Sequence, residues 1–130
     1  MPYFTASKEL LELTKKAVEK GSLVAMPSGK SIHVKVGGNG ATGSVFLDNA
    51  EYRKWIRRVF NADVSGMESA AVAQVYSAND VDWVVICSIS DLACGQQGKN
   101  VENVFDGIAS GTGAKLLLGV LDEMVALAAQ

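Results

Sequence analysis

The segment Val81-Asp82-Trp83-Val84-Val85-Ile86-Cys87-Ser88-Ile89-Ser90-Asp91 is an almost unbroken apolar run that ends abruptly in a serine and a carboxylate. Residues 83–89 are rich in β-branched side chains and lack polar alternation. That is the pattern of a strand covered on both faces, and such strands belong to parallel α/β sheets. Ligands of open α/β sheets bind beyond the carboxyl ends of the strands. Ser90 and Asp91, followed by the turn-prone Ala93-Cys94-Gly95, therefore fall where a site is expected. Two readings of Asp91 stand side by side: a proton donor in a site, or a cap for the turn or helix that follows.

The 130 residues suffice for one domain, 1–130, with a single core. Hydrophobic residues make up 48% of the chain and mean hydropathy is +0.17, rich enough to suggest that some apolar surface is covered by a partner or another subunit. A net charge of −2 leaves no electrostatic footprint for nucleic acid or an anionic membrane. Cys87 and Cys94 match no zinc spacing and no disulfide framework, so a reduced interior fits and no metal is expected. The chain shows no signal peptide and no apolar run long enough to span a bilayer. The expectation is a soluble, cytoplasmic protein, or a secreted or vacuolar one if Met1 is not its natural start.

Outward from the central run, residues 7–20 repeat apolar positions at helical spacing, with Ser7 as N-cap and Gly21 as stop. Residues 23–26 and 31–36 read as strands on either side of a Pro27-Ser28-Gly29 turn. His33 lies on the polar side of the second, as a solvated strand histidine. Residues 38–43 form a formal Gly-x-Gly-x-x-Gly after a strand. The dinucleotide fingerprint requires a helix next, whereas Ser44-Val45-Phe46-Leu47 looks extended, which leaves a flexible loop or a glycine-rich wall approached closely by a ligand.

Asp48-Asn49-Ala50-Glu51 has the form of a capping box for a helix over about 49–60. Arg53, Lys54, Arg57 and Arg58 on that helix read as a solvated cationic face. Ser65-Gly66-Met67-Glu68 is a second capping box, opening a helix to about Ala78 that is apolar nearly all round and hence buried. A back-bonding N3 glutamate suffices to account for Glu68. Residues 95–100 read as a mobile rim, and a long helical tail follows. Its Gly107, Gly111 and Gly113 imply either a break or very close packing.

Taken together, Gly66-Met67-Glu68-Ser69-Ala70-Ala71-Val72-Ala73 and Val84-Val85-Ile86-Cys87-Ser88-Ile89-Ser90-Asp91 resemble the nucleoside phosphorylase and nucleosidase superfamily. The stretch from Val45 to Arg53 is most similar to plant members, which include the bark storage proteins. The resemblance runs from about residue 3 to the C-terminus and matches the C-terminal half of the family's usual chain. It implies an α/β fold: part of a three-layer nucleoside phosphorylase-like domain, a mixed or parallel sheet covered by helices.

For function, the resemblance implies binding of a purine nucleoside or nucleobase and cleavage of the N-glycosidic bond, by phosphorolysis or hydrolysis. Asp91 would protonate or hydrogen-bond N7 of the base, with Ser90 positioning its carboxylate. Glu68 would accept hydrogen bonds from the ribose hydroxyls, Met67 would lie against the sugar, Phe46 would stack on the base and the Leu47 backbone would pair with its edge. No cofactor is implied beyond phosphate as a co-substrate. The sequence departs from nucleosidases at Gly66, where they often carry a second acid, and at Cys87, where they often carry a basic residue. Nothing in the chain obviously supplies the nucleophile, so activity is expected to need a missing half, a completing chain or a homo-oligomer. The alternative is a non-catalytic storage, ligand-binding or oligomerising relative.

Overall fold

The computed structural model describes residues 3–21, 32–94 and 102–130, and of residues 102–108 the backbone alone. The strand expected over 23–26, its following turn and the rim over 95–100 lie outside the described residues.

The first helix, α1 (Lys8–Glu19), begins and ends as its sequence dictates. Ser7 Oγ accepts the Leu10 amide at 3.4 Å, and Gly21 leaves the helix at φ 75°. Its inner face, Leu13, Thr14 and Ala17, is buried against the C-terminal helix α4 (Glu102–Ala128). Leu13, Ala17, Leu116 and Val120 form the core, with Leu10, Val18, Val34 and Ile86 packed on its edge. Lys20 Nζ bonds the largely buried Glu123 carboxylate across the end of this seam. Helix α4 runs unbroken through its glycines. At Gly113 the reason is close approach: a Cβ there would lie 3.2 Å from Ser88 Oγ.

Between these helices the chain builds a parallel pair. Strand β1 (Gly40–Thr42) is followed by α2 (Ala50–Phe60) and β2 (Val64–Gly66), in the register Gly40↔Val64, Ala41↔Ser65, Thr42↔Gly66. Parallel neighbours need a crossover, and α2 supplies it. The glycine-rich stretch is thus neither a dinucleotide loop nor a free loop. It turns at Gly37 and Gly38, both at positive φ, and enters the ladder. A Cβ on Gly38 would meet Asp63 Oδ2 at 2.5 Å, so this position requires glycine twice over.

Several expectations are corrected. The cap of α2 is Asn49, not Asp48: its side chain accepts the Tyr52 amide at 2.9 Å, and Glu51 pairs instead with Lys54 at 2.7 Å. The second capping box does not form. Ser65 is held in β2 opposite Ala41, so α3 (Ser69–Ala78) starts after Glu68, which makes no side-chain cap bond. Thr42 Oγ1 accepts the Ala70 amide at 3.2 Å in its place. Helix α3 is not buried all round either: Ala73 is buried, while Val72, Val75 and Tyr76 are exposed.

The central segment also differs. No strand is formed over 81–92, although burial alternates along it: Val84, Ile86, Ser88 and Ser90 are half-buried, and Val85, Cys87 and Ile89 exposed. A period of two is that of an extended chain. What is missing is a neighbouring strand, because a ladder requires a second backbone and none lies alongside among the described residues. Trp83 anchors the start, its carbonyl accepting the Ser7 amide at 2.9 Å and its indole N–H donating to Ser77 Oγ at 3.0 Å. Residues 32–36 behave likewise, with His33 exposed as expected and no ladder. Among the described residues no helix is long and apolar enough to cross a membrane.

Because so few side chains form the core, each should matter. Leu116→Ala is expected to lower unfolding free energy by about 2–4 kcal/mol in urea titrations while leaving the helical circular dichroism in place. A loss under about 0.5 kcal/mol would mean that the α1–α4 seam does not hold the fold.

Candidate active site

The site begins with the ladder. Because β1 and β2 are parallel, their carboxyl ends lie at one edge, and Gly43 N donates to Gly66 O at 3.2 Å to extend the pairing past both. Phe46 and Leu47 follow β1, and Met67 and Glu68 follow β2. All four therefore leave the sheet at the end where α/β folds hold ligands. Phe46 is exposed at 65%, open as a stacking platform, and Leu47 is half-buried. Met67 and Glu68 are exposed, and with Thr42 holding the start of α3 the Glu68 carboxylate is not spent on capping.

Asp91 enters from the other side. Its Oδ2 accepts Ser90 Oγ–H at 2.8 Å and its Oδ1 accepts the Ala93 amide at 2.6 Å. The capping reading of Asp91 is what these bonds show: the carboxylate holds the turn that follows, and in doing so is fixed in orientation. A carboxylate offers about four lone-pair positions, so two local donors leave room for a ligand. The turn is strained, with Ala93 at φ 45° and Cys94 at φ 63°, a region that costs non-glycine residues roughly 1–2 kcal/mol each. Arg53, in the first turn of α2, donates to the Leu92 carbonyl and so ties the helix that follows the Phe46–Leu47 loop to the Asp91 turn.

The structure thus sets the segments carrying Phe46–Leu47 and Met67–Glu68 after the same end of the ladder, and links the Asp91 turn to α2 through Arg53. Among the described residues no hydrogen bond or ion pair joins Glu68 directly to Asp91. The sequence reading missed Arg53 and Thr42 as organisers. Arg53 was indistinguishable from the other cations of α2, and Thr42 lies 28 residues from the amide it holds.

At the opposite end of the ladder Asp63 holds the entry of both strands. Its carboxylate accepts the Asn39 amide at 3.1 Å and pairs with Lys35 and Arg57, each at 2.8 Å. A groove of about 1030 Å³ opens elsewhere, between α3, residues 82–90 and α4. Ser90 reaches it, but Asp91, Glu68, Met67, Leu47 and Phe46 do not line it. It is a gap between elements, apart from the other four candidate residues and Asp91. No group of three His, Cys, Asp or Glu side chains among the described residues is placed to hold a metal ion.

The family model described as the phosphorylase superfamily matches residues 1–126. A 5′-methylthioadenosine/S-adenosylhomocysteine nucleosidase of Treponema pallidum is 39% identical over 71% of this chain and 35% of its own length. An aminodeoxyfutalosine nucleosidase of Campylobacter jejuni is 34% identical over 73% of this chain and 40% of its own. A 5′-methylthioadenosine/S-adenosylhomocysteine nucleosidase of Halalkalibacterium halodurans is 31% identical over 83% of this chain and 44% of its own. No solved structure matches at a significant level. The chain belongs to the nucleoside phosphorylase and nucleosidase superfamily, and it spans less than half the length of these relatives.

The Asp63 node gives a pH dependence. The Lys35 ammonium first, then the Asn39 amide and the Arg57 guanidinium, hold its carboxyl at about 2, below the ordinary 3.8. A depressed carboxyl stabilises the folded chain above its unfolded value and loses that contribution as pH falls through the folded one. The urea midpoint of the wild type should therefore fall between pH 4 and 2 more than that of Asp63→Asn. Parallel curves for the two proteins would show that the node does not stabilise the fold.

Proposed function

We propose that the chain provides the base- and ribose-recognising part of a purine nucleoside site, and that the reaction it serves is cleavage of the N-glycosidic bond. The observation that carries this is the Asp91 carboxylate, held by Ser90 and the Ala93 amide in a strained turn that Arg53 ties to the helix after Phe46 and Leu47. Asp91 delivers a proton to N7 of the base, with Ser90 as its positioning residue. Cleavage of the bond between C1′ and the base nitrogen leaves its electron pair on the base and an oxocarbenium-like sugar behind. A placed acid at the leaving group is worth about 10²- to 10⁴-fold in such a step. Glu68 accepts the ribose hydroxyls, Met67 packs on the sugar, Phe46 stacks on the base and the Leu47 backbone reads its edge.

The names of the bacterial relatives support water over phosphate as the acceptor. Because the chain spans less than half of those relatives, we assign activation of the acceptor to polypeptide beyond these 130 residues, in the same protein or in a completing chain. A second reading, a storage or binding protein of the plant type, is favoured by the exposure of Phe46 and by the uncovered apolar faces of α3 and α4. It differs in predicting binding without turnover.

Calorimetric titration with adenine and adenosine separates these readings from a fold that has lost its site. Micromolar binding is expected, weakened about tenfold or more by Phe46→Ala, as loss of a base-stacking ring costs roughly 1–3 kcal/mol. Glu68→Gln should weaken adenosine and spare adenine. No heat at millimolar ligand sinks both readings. In the assembled, active protein Asp91→Asn should cut nucleoside cleavage by about 10²- to 10⁴-fold with unchanged circular dichroism, and equal activity would remove Asp91 from the mechanism.

A further inference from the structure

The first amides of an α-helix have no partner inside the helix, and they and the helix dipole both attract an anion. At α3 the nearest anion along the chain is Glu68, which occupies the N-cap position itself. A side chain at that position ordinarily turns back to accept the second or third helical amide, here Ala70 or Ala71. Neither is open to it. The Ala71 and Val72 amides donate to the Glu68 carbonyl at 3.0 and 3.2 Å, and the Ala70 amide donates to Thr42 Oγ1 at 3.2 Å. Among the described residues the Glu68 carboxylate takes no hydrogen bond or ion pair, and the residue is exposed.

The acceptor that displaces it belongs to the sheet. Thr42 is the last residue of β1, half-buried and in register with Gly66, and Gly43 N donates to Gly66 O just beyond it. Its β-branched side chain has restricted freedom about χ1. The hydroxyl that caps α3 is therefore held by the ladder, 28 residues away in sequence from the amide it accepts, and the cap stays in place without any help from Glu68.

We propose that Thr42 is a positioning residue for the sugar half of the nucleoside: by taking the Ala70 amide, its hydroxyl keeps the Glu68 carboxylate off its own helix and available to the ribose hydroxyls. This role rests on the reading of Glu68 as the ribose acceptor, and it adds that affinity for the nucleoside is set separately from affinity for the free base. Without the hydroxyl, the open Ala70 amide and the helix dipole draw the carboxylate back, and the ribose loses its acceptor. Adenine, which has no sugar, is bound as before. A cap that served the fold alone would behave differently, because its loss would weaken base and nucleoside together.

Calorimetric titration of the chain with adenosine and adenine tests this. Thr42→Val keeps the β-branch and removes the acceptor, and it should weaken adenosine by about tenfold or more, the scale of a hydrogen bond to a charged group, while adenine stays within about twofold. Thr42→Ser, which restores the hydroxyl, should restore adenosine. In the Glu68→Ala background Thr42→Val should add nothing further, because both changes act on one group. Equal losses for the two ligands, additive losses in the double variant, or unchanged adenosine binding in Thr42→Val each overturn the proposal. If the wild type does not bind adenosine, or Glu68→Ala leaves that binding unaltered, the reading of Glu68 falls as well. A loss in Glu68→Ala with none in Thr42→Val removes Thr42 alone. Should Thr42→Val lose its helical circular dichroism, Thr42→Ala decides by the same comparison, and failure of both to fold assigns Thr42 to the fold and overturns the proposal.

Discussion

Everything described here hangs on how little backbone is paired between the two long helices. The α1–α4 seam of Leu13, Ala17, Leu116 and Val120 is the core, and it holds the segment before Asp91 only by one face, through Ile86 and the contact of Gly113 with Ser88. Among the described residues that segment has no ladder on either edge. In α/β proteins a strand of this composition is normally covered on both faces and paired on both edges. Among the described residues it has the covering of one face and the pairing of neither edge.

The short ladder between β1 and β2 does more than its three pairs suggest. Asp63 fixes its entry by gathering Lys35, Arg57 and the Asn39 amide, and the positive φ of Gly38 lets the chain pass against that carboxylate. At the exit, Thr42 takes over the start of α3. This substitution of one cap for another has a functional consequence. It releases Glu68, whose presence a capping role would have explained, and leaves that residue exposed. Arg53 performs a corresponding service elsewhere, spending a cation on the Leu92 carbonyl and so tying α2 to the turn that follows Asp91.

Under the proposed function these placements have a common sense, because N-glycosidic cleavage uses an acid at the base and an acceptor for the sugar hydroxyls. Carboxylates on separate chain segments can be held apart and oriented independently. Two on one short loop would repel and share a proton. The groove lined by α3 and α4 has no such polar convergence, and its apolar walls suit polypeptide better than nucleoside.

The sequence by itself determined the local features: the Ser7 cap and Gly21 stop of α1, the extent of α2, the turn at Asp91 and, through its motifs, the family. These depend on neighbours a few residues away, where propensity and capping chemistry act. Only the tertiary structure decided which side chain caps which helix, that the glycine-rich stretch becomes a strand, and that the apolar helix α3 is exposed. In each case the deciding partner is distant in the chain: Ser65 is drawn into the ladder by Ala41, Thr42 reaches Ala70, and Arg53 reaches Leu92. Hydrophobic periodicity announces that a face needs covering, but not whether a covering surface is present. For residues 84–90 and α3 the described chain does not supply it.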